Sequence, residues 1–175
     1  MVIWFTGMSG AGKSTLTVAL GSQLEKKGFS VNYLDGDAVR NINKTTDNFT
    51  CETIIKNNHS IIQECARTVE QYDFILVSVV SPFEETRQYA RCVLAEEYFE
   101  IYVKCPISEL VQRDTKGLYQ KAKCGKKDNL IGFSDKLPYE EPSNADLVIR
   151  TDRSDKKESI AMILTQLQLK GEFFV

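Results

Sequence analysis

The sequence predicts an α/β fold: a doubly wound, parallel five-stranded sheet with helices on both faces. Three observations carry the prediction. Short apolar runs alternate with stretches of helical spacing, the order expected of βαβ units. A glycine-rich turn at 6–15 joins the first apolar run to the first helical stretch. The near-continuous apolar run at 74–80 reads as a strand covered on both faces, which is usual in parallel sheets.

Each element has a local reason. Residues 2–5, Val-Ile-Trp-Phe, are β-branched and aromatic and read as a buried strand. After the turn, Leu16, Ala19, Leu20, Gln23 and Leu24 follow helical spacing, with Lys26 and Lys27 in the last turn and Gly28 at the stop. Residues 31–34 form the second strand and end in Asp35-Gly36-Asp37. The polar stretch 41–50 leads to a long helix at about 51–72, with Thr50 as N-cap and Glu52 in the first turn. Its apolar stripe is Ile54, Ile61, Ile62, Cys65, Ala66 and Val69. Ser81-Pro82 closes the third strand and opens a helix over 83–96, whose first turn carries Glu84 and Glu85. A fourth strand at 98–103 precedes a short helix at 106–113. The last strand is 147–149 and the last helix 156–169, followed by an apolar tail, Phe173-Phe174-Val175.

The turn at 6–15 carries the first functional signal. Gly7, Gly12, Lys13 and Ser14 satisfy G-x-x-x-x-G-K-[ST], the phosphate-binding loop, between a strand and a helix as that motif requires. The glycines let the backbone aim its N–H groups inward, and the following helix presents its positive end to the same anion. Gly7, Ser9, Gly10, Ala11, Gly12, Lys13, Ser14 and Thr15 are therefore the expected contacts for the phosphates of a nucleoside triphosphate. Lys13 reaches the outer phosphates as a point charge, and the Ser14 hydroxyl suits Mg²⁺.

Composition narrows the classes. The 175 residues predict a single domain, 42% hydrophobic and 26% charged, with a net charge of −2. That charge disfavours general nucleic-acid binding. No long uncharged apolar run would span a membrane, and the N-terminus reads as a strand rather than a signal peptide. The five cysteines are scattered and contain no C-x-x-C, as expected for thiols in a reducing cytoplasm. A GTPase would carry a late Asn-Lys-x-Asp segment, and Asn43-Lys44-Thr45-Thr46 is too early and lacks the aspartate. A motor ATPase would end a downstream apolar strand on an acidic residue, whereas 74–80 runs into Ser81.

What remains is a small-molecule kinase. Residues 114–142 are long, polar and basic, with helix expected only near 118–124. Such a loop is either a solvated surface or a lid over bound phosphates, and the phosphate loop gives a lid something to cover. Asp35 and Asp37 sit at the end of the second strand, on the rim that holds the phosphate loop. In an extended segment they point the same way, one towards Mg²⁺ and one towards an acceptor hydroxyl.

Taken together, Trp4-Phe5-Thr6 with the phosphate loop, Leu34-Asp35-Gly36-Asp37 with Arg40, and Phe49-Thr50 resemble the adenylyl-sulfate kinase family. So do Ser81-Pro82-Phe83, Arg113-Asp114, residues 116–122, Gly132-Phe133 and residues 138–142. The resemblance covers about residues 2–152 and implies a P-loop nucleotide-kinase fold. It also implies transfer of the ATP γ-phosphate to a ribose 3′-hydroxyl. By position it implies Asp37 as base or orienter, Asp35 as metal support and Arg113 in the donor site. Arg40 and Asn57 would hold the acceptor's phosphate side, Phe49 and Phe133 would stack on its base, and Lys116 would meet charge near the reacting groups. Ser81 stands where some members carry a phosphorylated serine, but a helix cap or phosphate contact is the better reading, since direct in-line transfer needs no covalent step.

Departures cluster on the acceptor side. Ile54 replaces an expected arginine, His59-Ser60 replace two basic residues, and Glu84 replaces another arginine. Because an arginine–anion pair is strong and geometric, these losses point towards a different acceptor end group. The sequence therefore favours cytidine diphosphoramidate, the acceptor of a branch serving capsular polysaccharide, with adenylyl sulfate as the alternative. A different small-molecule kinase and a non-catalytic nucleotide switch are the remaining readings. The apolar tail could dock on the core or on a second subunit, which leaves a homodimer open.

Overall fold

The structure is a computed structural model, and it describes residues 1–36, 50–126 and 128–171. Strand β1 (Val2–Thr6) leads through the glycine turn into helix α1 (Lys13–Lys26), and then comes β2 (Val31–Asp35). Helix α2 (Cys51–Thr68) and a 3₁₀ turn precede β3 (Phe74–Ser78). Helix α3 (Glu84–Leu94) is followed by β4 (Tyr98–Lys104), and two short helices, α4 (Ile107–Arg113) and α5 (Leu118–Lys123), come next. Strand β5 (Leu147–Arg150) and helix α6 (Lys156–Leu169) complete the order. The sheet runs β2-β3-β1-β4-β5 with every pairing parallel, as the sequence predicts.

Period-two alternation along β1 builds two cores. Ile3 and Phe5 face Leu16, Leu20 and Leu24 of α1 and Ile160, Ile163 and Leu167 of α6. Val2 and Trp4 face Ile61, Ile62 and Cys65 of α2 and Ala90 and Leu94 of α3. Thr50 caps α2 in a reciprocal capping box with Thr53, and Asp155 does the same for α6 with Glu158. Gly28 stands in the left-handed region at φ +93°, where its N–H closes on the Glu25 carbonyl.

Two boundaries differ from expectation for a physical reason. β3 ends at Ser78, not at 80, because its partners β1 and β2 offer no ladder beyond Phe5 and Asp35. Val79 still donates its N–H to the Phe5 carbonyl, and the chain then leaves the sheet. α3 ends at Leu94, where Ala95 takes φ +47° and starts a 3₁₀ turn. Segment 114–142 is not a merely solvated loop: Tyr119, Leu130, Ile131 and Leu137 are buried in it. Ile131 and Leu137 form a small apolar cluster with Ile54 and Phe83. The expected Asp37, Arg40 and Phe49 contacts and the tail at 173–175 lie outside the described residues.

Candidate active site

The phosphate loop starts where β1 ends and delivers its chain directly into α1. Gly7, Gly10 and Gly12 hold φ values of +149°, +79° and +104°, which side-chain-bearing residues rarely adopt. A Cβ on Gly7 would stand 2.4 Å from the Val103 carbonyl oxygen. Lys13 is buried and its Nζ donates to the carbonyls of Gly7 and Met8, both at 2.9 Å, so its ammonium lies over the loop.

Strand register assembles the metal-binding candidates. Asp35 and Ser78 are direct neighbours across β2 and β3. The Ser14 hydroxyl donates to Asp35 Oδ2 at 3.4 Å and shares a hydrogen bond with Ser78 Oγ at 3.1 Å. Two hydroxyls and one carboxylate form a sparse, hard oxygen set of the kind that suits Mg²⁺ held jointly with substrate phosphates. Ser78 escapes the sequence reading, although its place opposite Asp35 follows once the two strands are paired.

A single cavity of about 680 Å³ joins these groups. It is lined by the phosphate loop from Ser9 onward, by Asp35 and Ser78, and by Arg113, Lys116 and Thr151. The structure thus gathers the predicted donor and metal residues, together with Lys116, at the C-terminal ends of the strands. Arg113 is held on three sides: Nε donates to Glu109 Oε1 at 3.0 Å, Nη1 to Thr151 Oγ1 at 3.3 Å and Nη2 to the Thr151 carbonyl at 2.7 Å.

Besides Gly7, three predicted residues do not line the cavity. Asn57 is 4% exposed, and neither polar atom of its amide has a partner. Ser81 is fully buried with an unpartnered Oγ, and its carbonyl accepts from Thr6 Oγ1 and Arg87 Nη1. Phe133 packs edge-on against Tyr119, with ring centroids 5.5 Å apart, and the Tyr119 hydroxyl donates to the Ser9 carbonyl at 2.7 Å. Phe133 thus packs against the ring whose hydroxyl holds the phosphate loop.

Behind the site lies a buried ionic joint that the sequence does not announce. Arg87 is 1% exposed and donates to the Ser81 carbonyl at 2.6 Å, the Glu140 carbonyl at 2.8 Å and the Glu84 carboxylate. Its Nε stands 3.3 Å from buried Glu100, which also pairs with Arg91 at 3.2 Å. Burial raises the Glu100 carboxyl above the usual range, against the pull of Arg87 and Arg91. The Tyr139 hydroxyl meets Thr6 Oγ1 at 3.0 Å, and burial raises its pKa despite that contact. Arg87 and Tyr139 thus tie the end of segment 114–142 to the base of the phosphate loop.

The positions read as lost acceptor charges have other occupations. Ile54 is 5% exposed within the apolar cluster and does not line the cavity. Glu84 pairs with Arg87, and its N–H donates to Glu140 Oε2 at 2.6 Å. His59 lies against the Tyr89 ring, with centroids 4.3 Å apart, and Ser60 bonds the Lys56 carbonyl. Each of these positions therefore has a packing or pairing role within the chain itself.

A phosphate loop, an acidic strand end and a covering basic segment on a parallel sheet define a P-loop kinase, an ATP-dependent phosphotransferase with an alcohol group as acceptor. Comparison with known proteins narrows the class. Residues 1–150 match the family model described as adenylylsulphate kinase. The adenylyl-sulfate kinase of Halothermothrix orenii is 41% identical over 174 residues, covering 98% of this chain and 91% of the relative. A probable adenylyl-sulfate kinase of Bacillus subtilis is 38% identical over 172 residues, covering 97% and 85%. The Mycobacterium tuberculosis APS kinase, solved with AMPPNP and APS, superposes with a TM-score of 0.84 at 31% identity, covering 95% of this chain and 96% of that one. The chain belongs to the adenylylsulphate kinase family.

Proposed function

We propose that this chain is an adenylyl-sulfate kinase, transferring the γ-phosphate of ATP to the ribose 3′-hydroxyl of adenylyl sulfate to give 3′-phosphoadenylyl sulfate and ADP. The observation that carries the proposal is the 41% identity to an adenylyl-sulfate kinase along 98% of the chain. The acceptor that the sequence favours, cytidine diphosphoramidate, rests on four replaced positions, each of which has a contact within the chain itself, whereas the relatives named above are adenylyl-sulfate kinases. The alternative reading therefore becomes the preferred one.

Each residue then has a task. The phosphate loop from Ser9 to Thr15 and the Lys13 ammonium bind the donor phosphates. Ser14, Asp35 and Ser78 would hold Mg²⁺, which when bound neutralises charge on the phosphate oxygens. Asp37 takes the proton of the 3′-hydroxyl as its oxygen attacks the γ-phosphorus. The bond from that phosphorus to the β,γ-bridging oxygen breaks, and ADP leaves. Lys116 lines the same cavity and meets the charge that develops on the transferred group. Asn57 is an acceptor-side residue by family resemblance, and its buried amide has no partner within the fold. Segment 114–142 acts as a lid hinged on its Arg87-anchored end.

The test is a comparison of adenylyl sulfate with cytidine diphosphoramidate at equal concentration and saturating magnesium-ATP. Adenylyl sulfate should have the higher kcat/KM by at least about tenfold, the factor given by ~1.4 kcal/mol of differential transition-state binding. A higher value for cytidine diphosphoramidate overturns the proposal.

A further inference from the structure

The phosphate loop works only while its peptide N–H groups face inward. Its peptide carbonyls must then face outward and find partners elsewhere. Lys13 takes the carbonyls of Gly7 and Met8. The carbonyl of Ala11 is met instead from across the fold: Thr151 Oγ1 donates to it at 2.9 Å, 140 residues away in sequence. The next residue, Gly12, has φ +104° and no Cβ, so it is well able to accommodate a turned peptide. Turning the Ala11–Gly12 peptide over would point a carbonyl dipole at the phosphates and withdraw one N–H donor.

Thr151 is itself fixed by the donor side of the site. Its N–H donates to the Lys104 carbonyl at 3.1 Å, just beyond the β4–β5 pairing of Lys104 with Arg150. Its own carbonyl accepts from Arg113 Nη2, and its hydroxyl accepts from Arg113 Nη1. With Arg113 donating to the hydroxyl oxygen, the hydroxyl proton is directed to Ala11. The Thr151 methyl lies 3.6 Å from where a Cβ on Gly12 would stand, in ordinary packing contact with that position.

We infer that Thr151 is a positioning residue for the phosphate donor: its hydroxyl locks the Ala11–Gly12 peptide in the anion-binding orientation and couples that lock to Arg113. The inference concerns the donor half of the site and holds whichever nucleotide is the acceptor.

The test replaces one oxygen. Thr151→Val keeps the shape and removes the hydroxyl, and Thr151→Ser keeps the hydroxyl and removes the methyl. Binding is measured calorimetrically with magnesium-ATP alone and with inorganic tripolyphosphate plus magnesium, so no acceptor enters the readout. T151V should bind both probes about tenfold more weakly, the loss expected from one well-aligned hydrogen bond. T151S should lie within about twofold of the parent, and the acceptor KM of T151V at saturating ATP should be unchanged. Undiminished binding by T151V, or T151S as weak as T151V, overturns the inference. Loss of ATP binding with tripolyphosphate spared also overturns it, since Thr151 would then act on the base side through Arg113. Failure of the acceptor comparison above leaves all these outcomes unaffected.

Discussion

Replacing Arg87 by methionine tests whether the buried joint behind the site stabilises the fold through charge. The side chain is 1% exposed and serves the carbonyls of Ser81 and Glu140 and the carboxylates of Glu84 and Glu100. Removing one partner of a buried ion pair costs about 3–5 kcal/mol, because the other charge is left uncompensated. Arg91 stays 3.2 Å from Glu100 and retains part of the compensation, which sets the expectation near the lower end, about 3 kcal/mol. For a chain of this size that corresponds to a fall in Tm of roughly 6–12 °C. The assay is urea denaturation read at constant m, with the midpoint shift converted to free energy. The pH dependence has a defined sign. The folded state raises the Glu100 pKa, so between the unfolded and folded values it binds more protons than the unfolded chain, and stability falls as pH rises. Losing Arg87 raises that pKa further, so the R87M deficit should be larger at pH 8 than at pH 5. The double variant Arg87→Met with Glu100→Leu removes both buried charges and should recover most of the loss. A single-variant loss under about 1 kcal/mol, or a double variant no better than the single, would refute the charge-based account.

Thiol reactivity checks the packing independently. Cys51, Cys92 and Cys124 are exposed while Cys65 and Cys105 are buried, and burial pushes the Cys65 thiol up to about 12. Native protein should therefore react quickly with a disulfide reagent at three of its five thiols, the other two following only on unfolding. At the site, Asp37→Asn should leave magnesium-ATP binding intact and lower kcat by about a hundredfold or more, as expected on losing a positioned base. Near-normal turnover would remove Asp37 from that role.

The sequence made the frame legible because the frame follows local rules. Alternating apolar runs and helical stripes place five strands, and the Thr50 cap and the Gly28 stop follow from single residue types. The phosphate loop is equally local, ten contiguous residues whose conformation is dictated by glycine positions. Contacts made across the fold were not legible. Ser78 gains meaning only opposite Asp35, a pairing of β2 with β3 that no spacing within either strand announces. Arg87 looks like one more charge on an amphipathic helix until the fold brings Ser81, Glu100 and Glu140 around it.

The acceptor side shows why a missing charge is a weaker sign than a present one. A lysine in a phosphate loop has few alternative uses, and Lys13 stands over that loop on the carbonyls of Gly7 and Met8. A position lacking an expected arginine has many. Ile54 gains apolar contact with Phe83, Ile131 and Leu137, fastening α2 to segment 114–142 by burial where a guanidinium would have needed an anion. Glu84 gains a buried guanidinium and a backbone bond to Glu140. Both side chains lie where segment 114–142 meets the body of the fold. The same pair of surfaces is therefore held together by apolar and ionic contacts within the chain itself. That anchorage is built from the chain's own side chains and needs no bound anion.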